Sequence, residues 1–212
     1  LHLGVRYDPA GIGPARAGVA ALSQQVLQGQ LRELLKQEPW EQLGQQLRGT
    51  RAGLVANTEC DYCEIRGHVT DDMLPQAVQL AGRMLLGQQP VKPEDLQAAR
   101  ELLLAHERDD TNTVVEQTYY SLLKACFGRR APLAQPVQGT AETLKALTAT
   151  DVAAFRATYM TPGNAVLTLI APRATSDLVD VAALATSAYP AGRTRVPTPT
   201  ASFSAAPRIY VA

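Results

Sequence analysis

The chain has 212 residues, enough to bury one substantial core, as one large domain or two tight halves. Its 20 basic and 20 acidic residues balance. That excludes the basic excess of a nucleic-acid binder and the acidic run of a solvating tail, and no apolar stretch approaches the roughly 18 residues a membrane span needs.

Leu1 to Tyr7 alternates loosely and predicts a strand. It has no initiator Met and no signal peptide, so upstream sequence is expected to have been trimmed, and cytoplasm and periplasm both stay open. Asp8 to Pro14 is a Gly- and Pro-rich turn, and its Gly11-Ile12-Gly13 reads as a turn before it reads as a ligand-binding loop. Arg16 to Gly29 predicts an amphipathic helix with Val19, Leu22, Val26 and Leu27 on one side and Gly29 as its C′ residue. Pro39 to Leu47 predicts a short helix. Gly49 to Asn57 and Glu59 to Val69 predict two strands, joined closely enough to pair as a hairpin.

Thr70-Asp71-Asp72 is expected to cap a helix from Met73 to Leu86. Further helices are predicted over Glu94 to about Arg108 and over Thr111 to Phe127, then a short one over Ala141 to Leu147. Thr148 to Asp151 caps another that runs to about Tyr159. Ala165 to Ile170 reads as a strand and Ser176 to Ala188 as the last helix. Strands and helices in this order make an α+β fold with a largely antiparallel sheet packed with several helices, not a repeating βαβ unit.

Three cysteines form no disulfide framework. Cys60 and Cys63 make a lone C-x-x-C in a strand-like run, where i and i+3 face opposite ways, so both read as ordinary core or strand residues. His68, His106 and the Tyr119–Tyr120 pair read as partly buried packing residues, and Arg129–Arg130 as a solvated loop pair. A metal site rebuilt from Cys60, Cys63, His68 and His106 has no supporting spacing.

Several patterns occur in a telling order. Gly18, Ala20 and Leu22 open the first long helix. Asp72, Ala77 and Leu80, in the stretch Asp72 to Leu85, meet D-x-x-x-x-A-x-x-L-x-x-x-L, with Met84 at its last position. Pro136, Gly139, Leu144, Leu147, Asp151, Phe155, Tyr159, Pro162 and Asn164 meet P-x-x-G-x-x-x-x-L-x-x-L-x-x-x-D-x-x-x-F-x-x-x-Y-x-x-P-x-N. Together they resemble one domain of the insulinase- and processing-peptidase-like (M16) zinc metallopeptidases. In that family the first helix carries H-x-x-E-H, with two zinc-binding His and a Glu that activates water, and a later helix adds a carboxylate in E-R-x-x-x-x-x-E. The matching positions here are Ala21, Gln24, Gln25 and His106, with Arg100 in place of the Arg and Ala99 in place of the first Glu.

Ala21 has no donor atom, Gln25 offers a neutral amide, and Gln24 cannot take a proton as Glu does. The resemblance therefore implies a non-catalytic domain that binds neither zinc nor another cofactor, with zinc expected in a catalytic partner half. That half would be a homologous second half or a subunit, in a homo- or heterodimer, and a peptide or unfolded protein would be the substrate. The alternative is a structural or peptide-binding module that kept the fold and holds an extended peptide by strand addition. The domain is expected over residues 1–192, a Pro-, Thr- and Ser-rich linker over 193–207, and the start of a following homologous domain over 208–212.

Overall fold

The computed structural model describes residues 1–48, 53–110, 114–128, 131, 134–190 and 192. The expected linker, the start of a following domain and Arg129–Arg130 lie outside them. In chain order the elements are β1 (His2–Arg6), α1 (Pro9–Ile12), α2 (Val19–Leu34), α3 (Glu41–Arg48), β2 (Gly53–Thr58) and β3 (Tyr62–His68). Then come α4 (Leu74–Leu86), α5 (Pro93–Asp110), α6 (Val114–Phe127), α7 (Ala141–Ala146), α8 (Ala149–Tyr159), β4 (Ala165–Thr168) and α9 (Thr175–Thr186).

The strands form one antiparallel sheet in the order β2-β3-β1-β4, and β2 and β3 pair as the expected hairpin. The fold is α+β, as the residue pattern predicts. Period-2 alternation sends Leu3, Val5, Cys63 and Ile65 to the helix side, where they join Leu22, Val26, Leu27 and Leu31 of α2 in the main core. A smaller cluster, Leu74, Val78, Val181 and Ala185, fastens α9 to α4. The two helices come so close that a Cβ built on Gly82 would lie 2.2 Å from the Ala185 carbonyl oxygen.

Three local expectations are corrected. Gly29 does not end α2, which continues to Leu34. A mid-helix glycine costs about 1 kcal/mol relative to alanine, and the wholly buried Leu31, two residues on, holds the helix together. Thr70 does not cap α4 with its side chain; a 3₁₀ turn over Asp71–Met73 intervenes, and the Thr70 hydroxyl donates to Gln46 Oε1 at 2.8 Å. Cys60 lies in the bend between β2 and β3 rather than in a strand.

The cap predicted for α8 forms as a reciprocal box. Thr148 Oγ1 accepts from the Asp151 N–H, and Asp151 accepts from the Thr148 N–H. These bonds hold the Asp151 carboxyl below the usual carboxylate range, with the Thr148 side chain the largest cause. Arg100 ties α5 to the end of α7, donating from Nε to the Leu144 carbonyl at 3.0 Å and from Nη2 to the Leu147 carbonyl at 2.8 Å.

Candidate functional site

The positions singled out in the sequence lie on α2 and α5, which pack against each other. Ala21 and Gln24 of α2 are buried and Gln25 is half-buried. Gln30, late in α2, donates to Asp95 Oδ2 early in α5 at 2.9 Å and to the Pro90 carbonyl at 2.8 Å. His106 stands a further 11 residues along α5 from Asp95, about 16 Å at 1.5 Å per residue. It is exposed, not partly buried as expected. His68, at the end of β3, is also exposed. Tyr119 and Tyr120 meet edge to face with ring centroids 5.5 Å apart. Tyr120 is half-buried as predicted, but Tyr119 is 55% exposed.

Gln24 is the unusual member. It is 2% exposed, and neither of its polar atoms makes a hydrogen bond among the described residues. It faces Cys63, whose sulfur lies 3.5 Å from Thr58 Oγ1. Burial pushes the Cys63 thiol up to about 12; the Thr58 hydroxyl, the Gln24 amide and the Arg156 charge oppose that rise without cancelling it. Gln24 thus acts on the thiol through its dipole without reaching hydrogen-bond geometry. Such a thiol is inert, as expected of a core cysteine.

Arg156 closes this buried polar cluster from α8. Its Nε donates to Ser23 Oγ at 3.0 Å, Nη2 to the Ser23 carbonyl at 3.0 Å, and Nη1 to the Gln89 carbonyl at 2.8 Å. Burial lowers its pKa to about 10, and it keeps its charge at neutral pH.

The Cys63 value sets a pH dependence. The folded-state pKa lies above the unfolded value, so the neutral thiol stabilises the fold fully below about pH 9 and loses that contribution as pH rises toward 12. Wild-type stability is expected to fall over this window, with Cys63 supplying up to about 1.4 kcal/mol per pH unit. Urea unfolding of Cys63→Ala at pH 8 and pH 10.5 should show a shallower alkaline loss; an identical loss would remove Cys63 as its source.

Two depressions among the described residues bear on the site. One, of 710 Å³, opens at the start of α2 between Tyr7, Ile12, Arg16, Cys60 and Pro136. Its wall includes Ile12 and Gly13; the expected turn over this segment is corrected, because Pro9–Ile12 forms the one-turn helix α1, capped by Asp8 through the Ala10 N–H at 3.0 Å, and Gly13 follows at φ 76°. The other, of 670 Å³, lies on the sheet face turned away from the core, between His2, Val55, Tyr62, Glu64 and Arg66. Here Glu64 is 2% exposed, with its carboxylate 2.7 Å from His2 Nε2 and 3.4 Å from Arg66 Nε. The alternation of Tyr62, Glu64, Arg66 and His68 signals a shared sheet face in the sequence, but not that Glu64 is buried there.

No protein-family profile matches the chain, and no curated protein sequence matches it significantly. Solved structures do match. An inactive M16 peptidase domain from Pseudomonas fluorescens superposes with a TM-score of 0.73 at 20% identity, over 95% of this chain and 48% of that one. A protease from Helicobacter pylori gives 0.74 at 14% identity, over 96% and 48%. This chain has an M16-like fold. A chain of Complex III2 from Candida albicans shares it, with a TM-score of 0.72 at 17% identity, over 96% and 44%. The chain thus spans less than half the length of each of these M16-like neighbours.

The residues at the M16 zinc positions do not fit the metal. Ala21 presents a buried methyl group, Gln24 is a neutral amide sealed in the core, and His106 is a single exposed imidazole. Among the described residues no cluster of three or more His, Cys, Asp or Glu could hold a metal ion, and no helix is long and apolar enough to cross a membrane.

Proposed function

We propose that this chain is a non-catalytic M16-like domain that forms part of a peptide-binding chamber and pairs with a catalytic, zinc-bearing half, on the same polypeptide or on a partner subunit. The observation that carries this reading is the replacement of all four chemical positions at once, by Ala21, Gln24, Gln25 and His106, in a fold whose packing is otherwise intact. The likeness to an inactive M16 domain supports it. In this role the domain supplies walls and contacts for an extended substrate, while another half holds the metal and the general base.

A second reading, a non-enzymatic structural or peptide-binding module, draws on the likeness to a chain of Complex III2. One experiment separates the two. The full-length protein is purified from its source with whatever accompanies it, and zinc and peptide cleavage are measured on the assembly and on this chain alone. The expected result is a zinc-bearing relative that co-purifies and cuts peptides with it, while this chain alone carries substoichiometric zinc and cleaves nothing. One zinc per chain and cleavage by this chain alone would overturn both readings. Isolation without partner, metal or activity would select the second.

A further inference from the structure

The 710 Å³ depression at the start of α2 has no part in the function proposed above. Three segments enclose it: the run from Tyr7 through α1 to Arg16, the first turn of α2, and residues 135–137. The contact of Gly18 with Gly139 holds the third segment near the second; a Cβ on either glycine would lie 2.9 Å from the other's Cα. The wall is largely apolar, with Ile12, Pro14, Val19, Pro136 and Val137. Its volume lies in the range of small-molecule pockets, about 300–1,000 Å³.

The charge at this depression is one-sided. Among the described residues that line it, Arg16 is the one that carries a charge. Arg16 Nε lies 3.3 Å from Asp151 Oδ1, and the two terminal guanidinium nitrogens make no hydrogen bond among the described residues. Arg16 stands just before the positive end of α2, where proteins ordinarily place an acid or a capping side chain. α2 has neither: its N-cap is Gly18 and its first turn carries no acidic residue. Leu22 is the first residue of the helix whose N–H reaches a helical carbonyl, that of Gly18 at 2.8 Å. The N–H groups of Val19 and Ala20, residues 2% and 3% exposed, thus find no acceptor within the helix, and both residues line the depression. Buried donors are seldom left unmet. Gln24, one turn on and 2% exposed, also has an unbonded amide among the described residues. Helical side chains lean toward the N-terminus, so this amide lies toward Ala20, and the Cys63 that it faces acts in turn on Tyr7 of the wall.

We propose that this depression binds a small apolar carboxylic acid as its anion: the carboxylate accepts from the Val19 and Ala20 N–H groups and from Arg16, and the hydrocarbon body lies against Ile12, Pro136 and Val137. The head group follows from the sign of the charge. A cation would meet both Arg16 and the positive end of α2, whereas an anion satisfies the two donors and the guanidinium together. The tail follows from the wall, against which a polar body would lose its water and gain few hydrogen bonds in return. The site is built from this chain alone, so it stands or falls apart from the question of a catalytic partner.

The test uses octanoate, octanamide and octylammonium, which share a tail and differ in the head group, each titrated into the chain by calorimetry. Octanoate is expected to bind at one site per chain, octanamide about 10-fold more weakly, and octylammonium not at all. Arg16→Gln, at an exposed side chain, should weaken octanoate about 3- to 10-fold, and Ala10→Trp, which fills the depression from its exposed rim, should abolish binding. A second measurement locates the ligand. Cys60 lines the depression, while Cys126 is exposed on α6, so octanoate should slow maleimide labelling of Cys60 and leave that of Cys126 unchanged, read by peptide mass spectrometry. Equal binding of the three head groups, octanoate binding that leaves Cys60 labelling unchanged, or no octanoate binding would overturn the proposal. So would tighter binding of a short acetylated peptide that ends in a free leucine carboxylate, which would assign the depression to peptide ends rather than to a small acid.

Discussion

Replacing Arg156 by Ala should destabilise the fold by about 3 kcal/mol or more, read as a lower urea midpoint with an unchanged m-value. The argument rests on what the guanidinium leaves behind. Ser23 Oγ, the Ser23 carbonyl and the Gln89 carbonyl would each lose a donor, and an unsatisfied buried polar group costs about 1–3 kcal/mol. Arg156 is also among the largest fully buried side chains, so truncation opens a cavity. Relief of the buried charge works the other way, since burial already depresses the Arg156 pKa, and that keeps the loss below the sum of its parts. Arg156→Lys should recover only part of the stability, because one ammonium group cannot reach three acceptors in a fixed fork. A loss below about 1 kcal/mol for the alanine variant would mean that the cluster is held by its neighbours and not by this residue.

Gly18→Ala and Gly139→Ala should each cost about 3 kcal/mol, and less together than their sum. Both glycines have positive φ, 88° and 80°, where an added Cβ costs about 1–2 kcal/mol. They also meet. A Cβ on Gly18 would lie 2.6 Å from the Gln138 carbonyl oxygen and 2.9 Å from the Gly139 Cα; one on Gly139 would lie 2.7 Å from the Ala17 carbonyl oxygen and 2.9 Å from the Gly18 Cα. Both obstacles are backbone, so relief requires the start of α2 to part from the turn before α7. Once one methyl has parted them, the second finds room already made, which is why the double variant should fall short of additivity. Thermal or urea unfolding of the two single variants and the double variant tests this. Strict additivity would show that the two sites relax independently.

That contact also marks how far the sequence could be read. Gly18 and Gly139 stand out as pattern residues far apart in the chain, but nothing in their spacing says that they touch. The α8 cap was legible because Thr148 and Asp151 need only each other. The end of α2 was misread because Gly29 is a local stop signal, whereas the force that overrides it is the tertiary burial of Leu31. At the candidate site, the lack of a donor atom at Ala21 and the weak, neutral amide at Gln25 are plain from residue type. The cluster of Gln24, Cys63 and Arg156 was not, because its members come from α2, β3 and α8 and only the fold brings them together. His106 and Tyr119 were expected to pack, yet α5 and α6 turn them to the outside. Helical periodicity finds an apolar stripe but cannot say whether another element covers it.

The place of β1 in the sheet has a consequence for how the chain is made. β1 leaves the ribosome long before one of its two neighbours, β4, which is the last of the described strands. About 160 residues separate them, roughly 10 to 30 seconds of synthesis at 5–20 residues per second. Once β3 has been made, β1 has that strand on one flank and a bare ladder on the other until β4 follows. Nascent chains crowded on one message would thus display the same unpaired strand to each other, and a holding chaperone has a defined segment to cover until Ala165–Thr168 emerges.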